Sequence, residues 1–163
     1  MNGLQITRDC ETVTIRIDAD HRSFYSELFS LAIQLYSPRE EKSAEALSLK
    51  PTPLSYKSPL EEEEDWKAHR RESEASRLAL LQNWQAVIPH EPLKLAIEQT
   101  HVLLMILNDL RLAISEREEI EEINFEELTS SQTSPQRRKA LIQLWLSSCV
   151  QHLLMQALEP GED

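Results

Sequence analysis

A mainly α fold, with about five helices around one central hydrophobic helix and a small N-terminal β-hairpin, follows from three features of the sequence. Glycine is absent between Gly3 and Gly161, which leaves few places where a left-handed turn could interrupt a helix. Long stretches repeat apolar residues with the helical period of 3.6. Only the first residues alternate apolar and polar side chains as a strand does.

The elements can be taken in chain order. Leu4 and Ile6, then Val13, Ile15 and Ile17, alternate with polar residues on either side of Arg8-Asp9-Cys10-Glu11, which predicts a two-stranded hairpin with one apolar face. Such a hairpin is marginal alone, so that face is expected to lie on helices. Asp20 is placed to cap a first helix in which Phe24, Leu28, Leu31 and Leu35 share one side while Arg22, Glu27 and Gln34 face away. Pro38 ends it. From about 37 to 58 the composition turns to Pro, Ser, Glu and Lys, and Pro51 and Pro53 forbid an ordinary helix there. This is the expected mobile linker of a single domain covering 1–163, and its Leu47, Leu49, Leu54 and Tyr56 could dock on the protein's own surface or on a partner.

Ser58, Pro59 and Glu61 read as the cap, first-turn proline and returning carboxylate of a second helix that runs to about Val87. Carboxylates from Glu61 to Asp65 suit the positive end of its dipole. Ala75, Leu78, Leu80, Leu81 and Trp84 form its expected buried stripe. After the Pro89 to Pro92 turn, Leu93-Lys94-Leu95 is either a short third strand or the beginning of a helix, because three residues do not define a period. The third helix, from about Ala96 to Ile114 or slightly beyond, is the most hydrophobic: Ile97, Val102, Leu103, Leu104, Ile106, Leu107, Leu110, Leu112 and Ile114 cover most of its circumference. A helix apolar nearly all round is expected to be enclosed by its neighbours. Glu116 to Glu127, anchored by Ile120, Ile123 and Phe125, is expected to give a short surface helix before the Thr129 to Ser134 loop. Ser134 and Pro135 begin the last helix, in which Leu141, Leu144, Trp145, Cys149, Leu153 and Leu158 are expected to face inward until Pro160-Gly161.

Composition limits the functions available. With 28 acidic and 17 basic residues among 163, the net charge is -11, which disfavours nucleic-acid backbones and anionic membranes as partners and is compatible with a basic partner or with solubility alone. Cys10 and Cys149 lack ligand-like neighbours and fit reduced thiols, the first residues do not resemble a signal peptide, and no apolar run reaches a membrane span. The expected location is the cytoplasm.

Catalytic vocabulary is sparse. Phosphate-binding loops and nucleophile elbows need glycines that this chain lacks. Ser147, Ser148 and Cys149 fall in mid-helix, a poor setting for a nucleophile beside an oxyanion hole. No catalytic residue and no cofactor is expected, and the chain reads as a non-enzyme. Glu98 with His101 has the spacing of di-iron bundles, Asp65 with His69 and Cys149 with His152 are further pairs, but each stands alone where a metal needs three or four ligands. A metal-binding protein or enzyme using Glu98 and His101 is the alternative reading.

Asn108-Asp109-Leu110-Arg111-Leu112-Ala113 puts polar and charged groups into the most apolar helix. Buried without partners they would cost roughly 1–3 kcal/mol each, so Asn108, Asp109 and Arg111 either form a structural network or present a recognition spot. Arg111 could reach the end of the first helix, the hairpin backbone or Glu27. This hexapeptide resembles the hallmark of a bacterial family of small, acidic, mainly helical proteins whose domain has no assigned function. The hairpin and amphipathic first helix, the acidic Pro-containing linker, the helix ending before Pro89 and the Trp145-Leu146 of the last helix resemble that family in the same order. Leu103 departs from it, where an aromatic is common, as does Pro89-His90-Glu91-Pro92, where the family has a glycine-bearing turn. The resemblance implies no catalytic activity or cofactor. The family's genes often lie beside that of ClpS, the Clp protease adapter, which implies a link to regulated proteolysis through a Clp adapter or chaperone. A structural homodimer through the central helix is the remaining reading.

Overall fold

The computed structural model describes residues 3–37 and 63–160. Strands β1 (Leu4–Arg8) and β2 (Thr12–Ile17) form the expected hairpin, and β3 (Leu93–Ala96) adds to β2. Thus Leu93-Lys94-Leu95 is strand. All pairings are antiparallel, with Ile6 opposite Ile15 and Ile15 opposite Leu93. That register puts Leu4, Ile6, Val13, Ile15, Ile17, Leu93 and Leu95 on one face, against the core. The Asp9 carboxylate accepts the N–H groups of Glu11 and Thr12, at 3.0 and 2.8 Å, and so closes the hairpin turn. These two bonds favour the ionised form and hold the Asp9 carboxyl below the usual range.

Five α-helices follow among the described residues: α1 (Arg22–Tyr36), α2 (Glu63–Val87), α3 (Ile97–Glu118), α4 (Phe125–Thr129) and α5 (Pro135–Leu158). Before α1, Ala19–His21 makes one 3-10 turn. Asp20 therefore lies inside that turn rather than capping α1, whose N-cap is His21 with no side-chain cap bond. The buried side of α1 carries Tyr25, Leu28, Phe29, Leu31, Ala32, Leu35 and Tyr36, while Phe24 is 48 % exposed. Leu28, Leu31 and Leu35 are buried as the stripe predicts, and of its members only Phe24 turns outward, with Tyr25 and Phe29 as the buried aromatics instead. In α2, Leu81 and Trp84 are buried, Leu78 and Leu80 are half-buried, and Ala75 is exposed. The predicted start at Ser58, Pro59 and Glu61, and nearly all of the 37–58 linker, lie outside the described residues.

Helix α3 begins with the Ala96 N–H donating to the Gln99 side chain at 3.0 Å. It runs past Ile114 to Glu118 and stops at Glu119, which adopts a left-handed φ of 53°. That position usually belongs to glycine. Ile120 donates its N–H to the Ser115 carbonyl at 2.9 Å and buries its side chain, so a hydrogen bond and an apolar contact together close the turn. Of the other predicted anchors, Ile123 packs on the core but Phe125 is 57 % exposed, and the surface helix is only the five residues of α4.

Ser134 caps α5 by accepting the Arg137 N–H, with Pro135 in the first turn. The inward face of α5 is Ala140, Leu141, Leu144, Ser147, Val150 and Leu154, whereas Trp145, Cys149, Leu153 and Leu158 are half-buried at its margins. Both long pairs are antiparallel. Gln85 of α2 bonds Ser26 and Ser30 of α1 near one end while Arg77 meets Tyr36 near the other. Likewise Arg137 of α5 reaches the Glu118 carbonyl, and Gln151 reaches the Leu104 carbonyl.

The central helix is enclosed on most sides only. Leu103, Ile106, Leu107, Leu110, Ala113 and Ile114 are buried, but Met105 and Leu112 are 51 % and 53 % exposed. Complete enclosure, as the apolar circumference suggests, is thus not realised. Truncation reads this asymmetry directly: Leu110→Ala should cost about 2–5 kcal/mol, and Leu112→Ala no more than about 0.5 kcal/mol, in reversible urea unfolding of the intact protein.

Candidate functional site

Residues 108, 109 and 111 point three ways because an α-helix turns about 100° per residue. Asp109 and Arg111 are therefore some 200° apart around α3. Among the described residues, Asp109 and Arg111 hydrogen-bond different partners on different helices.

Asp109 faces α1 and α2. Its Oδ2 accepts from the Tyr36 hydroxyl at 2.7 Å and from an Arg77 terminal nitrogen at 2.7 Å. The same Arg77 nitrogen lies 3.3 Å from the Tyr36 oxygen, and the guanidinium carbon sits 5.5 Å from the centre of the Tyr36 ring. The side chains of Arg77 and Asp109 are 8 % and 19 % exposed. Neither charge would be stable there without the other, because removing an ion from water is offset only by a close, hydrogen-bonded counterion. Burial, and then the negative charge of Asp109 beside it, push the Tyr36 phenol well above its ordinary range. Three helices thus meet at one carboxylate oxygen.

Arg111 faces α5, where it donates to the Gln151 side-chain oxygen, and Gln151 donates in turn to the Leu104 carbonyl at 3.4 Å. Its destination is neither the end of α1, nor the hairpin, nor Glu27, which is exposed. Asn108 is exposed. It sits in a narrow outer strip of α3 with Glu98, His101, Met105, Leu112 and Glu116, all exposed and spaced by three or four residues.

The other sequence candidates are dispersed. Glu98 and His101 are both on the exposed strip, and among the described residues no group of three or more His, Cys, Asp or Glu side chains could hold a metal ion. Cys149 is half-buried, His152 is exposed, and both cysteines are free thiols. Asp65 and His69 fall outside the described side chains. Ser147 is fully buried, and the Ser147 and Ser148 hydroxyls donate to the carbonyls four residues earlier, those of Gln143 and Leu144. No helix among the described residues is long and apolar enough to cross a membrane.

Sequence reasoning did not single out Tyr36, Arg77 or Gln151. A signal for Arg77 existed: it lies four residues before Leu81 and seven before Trp84, on the apolar side of α2, where a cation requires a buried counterion. A second polar junction joins α3, α4 and α5. Arg137 donates to Glu127 at 2.6 Å and to the Glu118 carbonyl at 2.7 Å, while Glu118 also accepts from Arg117 and Gln136. The Arg137 hydrogen bond holds the Glu127 carboxyl below its usual range.

This arrangement of a three-stranded sheet, a central helix and its polar junctions belongs to a mainly α protein. The family model for a domain of unknown function, DUF2017, matches residues 1–158, and the chain belongs to that family. Searches of curated proteins and of solved structures each returned no match.

Asp109→Asn should destabilise the protein by about 3 kcal/mol, since it leaves the Arg77 charge buried, whereas Tyr36→Phe should cost about 1 kcal/mol for one lost hydrogen bond. Both can be read from denaturant unfolding. Alkaline pH supplies a second check. Tyr36 and Tyr25 both have phenols raised from 10.0 chiefly by burial, so the unfolded state releases its phenolic protons first. Their contribution is complete below that value and is lost as pH climbs beyond it. Stability should therefore fall from about pH 10 upward, and Tyr36→Phe should make that fall shallower.

Proposed function

We propose that the chain is a non-enzymatic protein-interaction or regulatory module of the cytoplasm, and that the outer strip of α3 is its contact surface. One observation carries this reading. Met105 and Leu112, two large apolar side chains of the central helix, stay half-exposed on either side of Asn108. Residues in the middle of a core-forming helix are ordinarily covered, and apolar surface left open in a row with polar neighbours suits a partner's apolar side chains. The -11 charge favours a partner with a basic rim around that contact.

Clp-dependent proteolysis is the process in which this contact is proposed to act, with a Clp adapter such as ClpS or a Clp chaperone as the partner. Support for that choice is the resemblance carried by Asn108 to Ala113, whose outward-facing members are Asn108 and Leu112. A second copy of the chain is the competing occupant, because the same two apolar side chains would serve a self-contact. Glu98 and His101 lie on this strip, and among the described residues no further His, Cys, Asp or Glu completes a metal site with them.

The test uses the purified full chain with a photo-crosslinking residue at position 105 or 112, mixed with ClpS and a Clp chaperone. Crosslinks to one of them, reduced at least about tenfold in a folded Met105→Glu, Leu112→Glu variant, are expected; a contact core of this kind loses about 1.4 kcal/mol per tenfold. Absence of any crosslink to either protein removes the Clp assignment. A concentration-dependent dimer in light scattering, abolished by the same double variant, would give the surface to self-association instead.

A further inference from the structure

A small cleft lies away from α3, where the ends of β2 and β3 meet the start of α1 and the turn after α2. Its volume is about 160 Å³, and it is lined by Ile15, Arg16, Ile17, Arg22, Ile88, Glu91, Pro92 and Leu93. Ile15, Ile88 and Leu93 are nearly inaccessible and form an apolar floor. Charges border it: Arg16, Arg22 and Glu91 are exposed, and among the described residues none of the three is in an ion pair. Arg22 is nonetheless fixed in place. Its Nη1 donates to the Pro89 carbonyl at 3.2 Å and its Nε lies 3.5 Å from the Ile17 carbonyl. The guanidinium therefore spans from the end of β2 to the turn that carries Glu91.

We propose that this cleft binds a free aliphatic α-amino acid, of the leucine, isoleucine or valine kind. Each part of such a molecule has a counterpart in the lining. The branched side chain meets the isoleucine and leucine floor, where burial of apolar surface drives binding. The carboxylate meets the arginine held across the mouth, and a fixed guanidinium binds a carboxylate with little further ordering. The ammonium meets Glu91. A cation and an anion that have no ion-pair partner among the described residues, beside one apolar recess, complement a zwitterion better than a purely anionic or cationic ligand. Size points the same way: pockets for drug-sized ligands run to roughly 300–1,000 Å³, so a cleft of about 160 Å³ suits a ligand on the scale of a single amino acid. The cleft shares no residue with the α3 strip, and its occupation stands independently of the function proposed above.

Chain termini offer half of the same chemistry, and the test separates them. The ¹⁵N-labelled full chain is titrated with L-leucine, L-valine and L-isoleucine, then with leucinamide and N-acetyl-leucine, while amide resonances are followed by NMR. Saturable shifts centred on residues 15–17, 22, 88, 91 and 93 are expected for the free amino acids, with leucinamide and N-acetyl-leucine each binding at least about tenfold more weakly. Arg22→Gln should weaken L-leucine by a similar factor while the variant's melting curve stays that of a folded protein. If that variant unfolds, the ligand series on the unaltered chain decides alone. No saturable shift with millimolar amino acids would overturn the proposal. Equal binding of leucinamide or N-acetyl-leucine would overturn it too, and would assign the cleft to the end of a polypeptide.

Discussion

Burial of α3 among three unlike neighbours is the constraint on which the fold depends. Leu103, Ile106, Leu107, Leu110, Ala113 and Ile114 must all leave water, and they share an arc of about one third of the helix circumference. The apolar face of the sheet, the α1–α2 pair and α5 divide that surface between them. The hairpin consequently has a reason to exist in a helical protein: it closes one side of α3 and is itself stabilised by the contact.

Polar side chains mark the two seams of this enclosure. Asp109 gathers Tyr36 and Arg77 on one side, and Arg111 engages Gln151 on the other. Apolar packing tolerates sliding and rotation of one helix on another more readily than a buried ion pair does, since displacement of either partner strands a charge. The seams thus fix the rotation of α3. Once that rotation is set, the arc between them carries Met105, Asn108 and Leu112 outward, so the open strip is a geometric consequence of where the two charged residues find partners.

Much of this was legible in the residues. The hairpin, its inward face and the Ser134-Pro135 start of α5 follow from alternation and capping chemistry, which act over a few residues and so leave a local record. The third strand became decidable only with its partner β2 in place, because Lys94 and its neighbours are too few to show a period. The end of α3 was hidden for a different reason. Glu119 occupies the left-handed position where a glycine would have announced the stop. Phe24 and Leu112 were assigned to the core by hydrophobicity, yet both are exposed, since a helix stripe is defined by what packs against it, and the aromatic places beside α1 go to Tyr25 and Phe29. For the motif, the cost of burying Asp109 and Arg111 was visible, but their partners were not. Tyr36, Arg77 and Gln151 are 73, 32 and 40 residues away from the motif residue that each contacts, and one sequence carries no trace of such pairings.

The division of the motif between two seams is tested most directly by double-mutant cycles on global unfolding. Arg77→Met with Asp109→Leu should show a coupling free energy of at least about 1 kcal/mol, and Asp109→Leu with Arg111→Met should be additive within about 0.5 kcal/mol. Strong coupling between Asp109 and Arg111, together with additivity of Arg77 and Asp109, would contradict the account and place both motif charges in one network.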